Sequence, residues 1–98
     1  MKIKVSKATG PALDWMVAKA IGDYKPVAVP AYSTDWAQGG PIIEREGIAT
    51  EPWNLTHPWR AMMADGDFEV YGSSPLIAAM RAYVASKLGD EVDVPEGL

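Results

Sequence analysis

The chain has 98 residues, 48% hydrophobic and 22% charged, a balance that fits one globular domain and excludes a disordered chain. It has no cysteine, so disulfides, thiolate metal sites and a cysteine nucleophile are excluded. The net charge of −4 is unevenly spread: five lysines stand in residues 1–25 and the remainder is acidic, so no cationic stripe for tracking phosphates forms and nucleic acid is not expected as a partner.

Met1–Lys7 is charged, but no apolar run of roughly 7–15 residues follows it as in a signal peptide. Nor does any stretch approach the ~18 apolar residues of a membrane span, and the lack of cysteine fits a reducing cytoplasm. The sequon Asn54-Leu55-Thr56 is then accidental. Lys2-Ile3-Lys4-Val5-Ser6 alternates with period two, as a half-buried strand or an extended arm does. Thr9 is placed to cap a helix with Pro11 in its first turn. Leu13, Met16, Val17, Ala20 and Ile21 then share one helical face, Asp14, Lys19 and Asp23 lie away from it, and Gly22 supplies a left-handed stop.

Five prolines between residues 23 and 60 exclude long helices and central strands there. Val27-Ala28-Val29 reads as a short strand between two of them. Ser33 or Thr34 could cap a helical turn through Trp36 and Gln38 that Gly39-Gly40 would end, and Pro41 either opens another turn or leads Ile42-Ile43 into an extended segment. Trp59 to Ala64 reads as a short helix stopped by Asp65-Gly66-Asp67, and Phe68 to Tyr71 as a strand. Ser74 before Pro75 starts the clearest helix, with Ile77, Met80, Val84 and Leu88 in one stripe, Leu76 and Tyr83 widening it, and Gly89 ending it. Residues 91–98 form an acidic tail with two apolar anchors, loosely held.

These elements predict an α+β fold: two amphipathic helices, near 11–21 and 75–88, packed with a small antiparallel sheet (2–6, 27–29, 68–71, with 42–48 a further candidate) around a proline-rich irregular middle. Residues 1–90 make one domain and 91–98 the tail. Leu13, Ile21, Ile77, Met80 and Leu88 are the expected core, each contributing about 1.5–3 kcal/mol on full burial.

Several strings carry a family resemblance: Leu13-Asp14-Trp15 with Val17-Ala18-Lys19-Ala20, Ser33-Thr34-Asp35-Trp36 with Gly39-Gly40-Pro41-Ile42-Ile43-Glu44, and Ser74-Pro75-Leu76-Ile77-Ala78-Ala79-Met80-Arg81 followed by Tyr83 and Leu88-Gly89-Asp90-Glu91-Val92. In this order they resemble the NinX-like phage proteins, a family without an assigned function. The resemblance implies a phage or prophage accessory protein working in the host bacterial cytoplasm. It carries over no catalytic residue.

No chemical constellation stands out. Asp35, Glu44 and Glu46 could supply paired carboxylates with His57 as the only imidazole, the set a small hydrolase would use, and a divalent-metal site on the same loop is conceivable. Yet adjacent glycines before a proline commonly form a turn, and Glu44-Arg45-Glu46 is an ordinary solvated set on either a strand or a helix. Gly39-Gly40-Pro41 lacks the spacing of a phosphate cradle, so no cofactor is expected. Trp36, Trp53 and Trp59 lie in the irregular middle, where indole rings either fill a core or anchor a partner. The expected site is therefore a surface for a protein partner or a second copy, with Trp36, Trp53 and Trp59 buried on contact and Asp35, Glu44, Arg45 and Glu46 orienting it by charge. An acidic face mimicking nucleic acid, built from Asp65, Asp67, Glu69 and the tail acids, is the third possibility.

Overall fold

The computed structural model describes residues 1–23, 25–64 and 69–98. The fold is α+β, with three helices and two small antiparallel sheets among the described residues. β1 (Lys2–Lys4) runs into a 3-10 turn (Val5–Lys7), then α1 (Gly10–Ile21), α2 (Trp36–Glu46), β2 (Ala49–Pro52), β3 (Trp59–Met62), β4 (Glu69–Gly72), α3 (Pro75–Leu88) and β5 (Glu91–Asp93). β1 pairs with β5; the other sheet has the order β2-β3-β4.

α3 is the centre of the molecule. Its side chains Leu76, Ala78, Ala79, Met80, Ala82, Tyr83, Val84 and Ala85 are buried on several faces, because the helix lies on the three-stranded sheet while α1 and α2 cover it elsewhere. The alanines let these neighbours approach closely. Ser74 Oγ accepts the Ile77 amide at 3.1 Å and Pro75 occupies the first turn, as the sequence predicts. The β4 side of this packing explains Gly72: a Cβ there would stand 2.6 Å from the Ala78 nitrogen.

The core differs from expectation at the helix ends. Leu13 and Met80 are fully buried, whereas Ile77 is half-buried, Ile21 is 44% exposed and Leu88 37% exposed. Both exposed residues occupy the last turn of their helices, beyond the neighbouring elements. Thr9 precedes α1 in an extended conformation, yet its side chain makes no capping bond. Gly22 closes α1 at φ 118°, and the Asp23 amide reaches back to the Ala18 carbonyl at 3.0 Å. Asp14, expected on the solvent side, is buried and accepts both the Ser33 amide (2.8 Å) and the Ser33 hydroxyl (2.7 Å) on Oδ1.

The middle of the chain departs furthest. Ser33 is committed to Asp14, so Asp35 caps α2 instead, accepting the Ala37 amide at 2.9 Å. Gly39-Gly40 does not end the helix: Gly39 is buried against the Tyr32 carbonyl and Leu76, where an added Cβ would lie 2.6 Å from Leu76 Cδ1. Glycine here serves close approach rather than a turn. Pro41 lies inside α2, and the helix stops at Gly47 with φ 65°. Residues 42–46 are therefore helix, not strand. Val27-Ala28-Val29 is not a strand either; Ala28 sits at φ 50°, outside the β region, and Val27 is 81% exposed.

Trp59–Met62 is a strand rather than the expected short helix, held between two partners: Arg60 stands opposite Glu51 and Tyr71, Ala61 opposite Thr50 and Val70. Tertiary pairing overrides a local preference too short to decide the matter. The expected stop at Asp65-Gly66-Asp67 and the strand start at Phe68 lie outside the described residues. The acidic tail is not loose at its start: β5 pairs with β1, and Val92 and Val94 are buried.

Candidate functional site

Strand alternation sorts the three-stranded sheet into two faces. Trp59, Ala61 and Val70 turn inward onto the core, while Glu51, Arg60, Tyr71 and Glu69 stand on the outer face. Arg60 ties that face together, bonding Glu51 through Nη2 and Glu69 at 3.1 Å through Nη1. The Tyr71 hydroxyl donates to the same Glu69 oxygen at 2.8 Å. These bonds, first the Tyr71 hydroxyl and then Arg60, hold the Glu69 carboxyl below its ordinary range, and the bond to Glu69 raises Tyr71.

Aromatic rings continue the face. The Arg60 guanidinium lies 3.9 Å from the Trp53 ring centroid, Trp53 and Tyr71 rings are 6.5 Å apart, and His57 stacks on Tyr71 at 4.5 Å. The β2–β3 loop carrying Trp53 and His57 is closed by its own bonds: the Trp53 amide to the Pro58 carbonyl (2.9 Å), the Asn54 amide to the His57 carbonyl (3.0 Å) and the His57 amide to Asn54 Oδ1 (2.6 Å). At its tip Leu55 is wholly exposed, and Trp53 is 44% exposed. A large apolar side chain is thus presented on a fixed backbone.

The residues singled out from sequence divide among separate places. Trp36, 54% exposed, opens α2, and Asp35 is its cap. Glu44, Arg45 and Glu46 lie at the other end of α2, about 12–15 Å along the axis from Trp36 at ~1.5 Å per residue. Arg45 is held by Glu46 at 2.9 Å and reaches the Tyr83 hydroxyl at 3.5 Å. Trp53 flanks the hairpin loop, and Trp59 packs half-buried against the core. The hydrolase set is not assembled: Asp35 is spent on capping, Glu46 on Arg45, and the His57 ring on Tyr71. Among the described residues no group of three or more His, Asp or Glu side chains gathers to hold a metal. As for an acidic mimic, Glu69 is neutralised by Arg60 and Asp93 by the Met1 amine at 2.7 Å, while Asp65 and Asp67 lie outside the described residues.

A cleft of about 740 Å³ opens beside the hairpin, between the 3-10 turn, residues 56–58, β4 and α3. His57 and Tyr71 flank it, and Lys7 and Arg81 bring positive charge. Arg81 donates through Nε to the Ala8 carbonyl (3.0 Å) and through Nη1 to the Tyr71 carbonyl (2.8 Å), and partial burial lowers its pKa from the ordinary value. Neither Arg81 nor Leu55 figured among the expected site residues. A signal for Arg81 existed: it is the only charge between Pro75 and Ser86, inside a helix otherwise built for burial.

The fold is an α+β domain that displays an exposed aromatic hairpin. Residues 24–87 match the family described as Bacteriophage P22, NinX, and the chain belongs to that phage family. The match takes in α2, the three-stranded sheet and nearly all of α3; the resembling strings of α1 and of residues 88–92 lie outside it. Comparison with curated proteins gives no match. No helix among the described residues is long and apolar enough to cross a membrane.

Proposed function

We propose that the protein is a non-catalytic phage accessory module that acts in the host cytoplasm by binding a protein partner or a second copy of itself. The observation that carries this reading is the hairpin loop, where Leu55 and Trp53 are displayed on a backbone already fixed by three hydrogen bonds. Ordering such side chains on contact costs less than ordering a free loop, so more of the apolar burial reaches the binding free energy. Arg60, Glu51 and Glu69 form the charged rim beside Trp53. Trp36 with its capping Asp35 is a second exposed indole on α2, and Glu44, Arg45 and Glu46 a polar patch at the opposite end of that helix. Trp59 is assigned to the core side of the sheet.

The test is affinity capture of the tagged protein from phage-producing host cells, run in parallel with Trp53→Ala, Leu55→Ser and Trp36→Ala, together with sedimentation of the purified protein for self-association. A companion, or a second copy, retained by wild type and lost with Trp53→Ala and Leu55→Ser supports the hairpin. Loss only with Trp36→Ala moves the contact to α2. Retention in all three refutes the proposal.

A further inference from the structure

The cleft beside the hairpin departs from the character of the rest of the molecule. The chain is acidic overall, yet this concavity is rich in donors. Lys7 and Arg81 both line it, and neither forms an ion pair among the described residues. Arg81 uses Nε and Nη1 on backbone carbonyls; its Nη2 makes no bond among the described residues. Guanidinium groups present five N–H donors in a rigid, planar fork, so the Nη2 donors are left for an acceptor, with their orientation fixed by the bonds at Nε and Nη1. Ser6, Thr9, Thr56 and Ser73 also line the cleft, and among the described residues their hydroxyls make no hydrogen bond. Among the described residues Glu69 is the one carboxylate in the lining, and it is paired with Arg60 and accepts the Tyr71 hydroxyl.

We infer that this cleft binds the phosphate group of a small phosphate ester. Two cations match a phosphate dianion, and the surplus of neutral donors suits a group with three terminal acceptor oxygens better than a carboxylate with two. The volume of about 740 Å³ lies within the range of small-molecule sites, about 300–1,000 Å³, and leaves most of the cleft for the body of the ligand. The His57–Tyr71 stack provides a flat wall for an apolar or aromatic portion. Arg81, fixed to Ala8 and Tyr71, supplies the oriented contact; Lys7, exposed on the 3-10 turn, supplies the second charge.

His57 is the only histidine, so its ring proton signals report the cleft directly. The purified protein, at about pH 8 where phosphate is almost wholly dianionic, is titrated with phenyl phosphate, inorganic phosphate and benzoate at constant ionic strength. Saturable shifts of the His57 signals are expected, with phenyl phosphate tightest and benzoate weakest. Lys7→Gln, which removes an exposed charge that has no bonded partner among the described residues, weakens phenyl phosphate about tenfold, the equivalent of one charge-assisted contact, and leaves the fold intact. Arg81→Lys weakens it as well. No saturable shift, equal binding of benzoate, or an unchanged affinity in Lys7→Gln overturns the assignment.

Discussion

The Asp14–Ser33 contact is the joint by which α1 sets the start of α2, and removing it gives a graded prediction. Both bonds fall on Asp14 Oδ1, at 2.8 Å from the Ser33 amide and 2.7 Å from its hydroxyl, and both residues are buried. Asp14→Ala leaves two buried donors without an acceptor at about 1–3 kcal/mol each, so roughly 3 kcal/mol in all. For a domain of this size ~1 kcal/mol is about 4–8 °C in Tm, so the midpoint falls by roughly 15 °C. Ser33→Ala removes one donor and leaves the amide bonded, for about 1.5 kcal/mol. Asp14→Asn keeps an acceptor at Oδ1 but without charge, where bonds are about half as strong, and costs about 1 kcal/mol. The order Asp14→Ala, Ser33→Ala, Asp14→Asn, measured by urea unfolding monitored by circular dichroism, is the content of the claim. The reasoning fails if Asp14→Ala costs under about 1 kcal/mol, since a buried amide and hydroxyl deprived of their acceptor cannot be that cheap.

Gly39→Ala is expected to destabilise by about 1–3 kcal/mol through overpacking, because the new methyl meets a backbone carbonyl at Tyr32 that cannot swing aside; calorimetry showing a rise in Tm would contradict it. Glu69 has a carboxyl held below its ordinary range, so its contribution is fully present above the unfolded pKa, near 4.3, and is lost as pH falls through the lower folded value; Glu69→Gln should flatten the acid limb of stability against pH, and an unaltered limb would show the Arg60 and Tyr71 bonds to be idle. Leu55→Ser, at a fully exposed position, should change stability by less than about 0.5 kcal/mol, whereas Trp53→Ala should cost about 1 kcal/mol through the lost Arg60 stack, so urea midpoints separate a binding role from a folding role.

α3 was legible almost to the residue because three independent signals agree: the Ser74 cap, the Pro75 first turn and a long apolar pattern ended by Gly89. α2 was not, since Gly39, Gly40 and Pro41 all read locally as breakers. What keeps that helix intact is tertiary: the absent Cβ of Gly39 lets the backbone lie against Tyr32 and Leu76, and no single-sequence pattern reports such an approach. β3 was misread for a related reason. Trp59 to Ala64 contains good helix formers, and four residues of alternation are too few to outweigh them until β2 and β4 supply partners on both sides. The aromatic residues were identifiable as candidates, but their fates depend on tertiary structure: strand parity turns Trp59 to the inner face, and the Arg60 guanidinium holds Trp53 on the outer side.

That parity also explains why the exposed hairpin and the cleft coexist on one edge of the fold. β4 has β3 on one side, and on the other the Arg81 guanidinium takes the Tyr71 carbonyl and ties it to Ala8. An edge strand finished by a side chain from the central helix is protected from pairing with another chain, yet its neighbourhood stays concave because among the described residues no further strand fills it. The hairpin loop then overhangs this concavity through His57, whose ring rests on Tyr71. Any ligand that moves His57 must therefore act on the same loop that displays Trp53 and Leu55. Occupancy of the cleft and docking at the tip are joined by one short segment, residues 53–58. Affinity at the tip measured with and without phenyl phosphate would show coupling, and by linkage an equal change in phenyl phosphate affinity when the partner is bound.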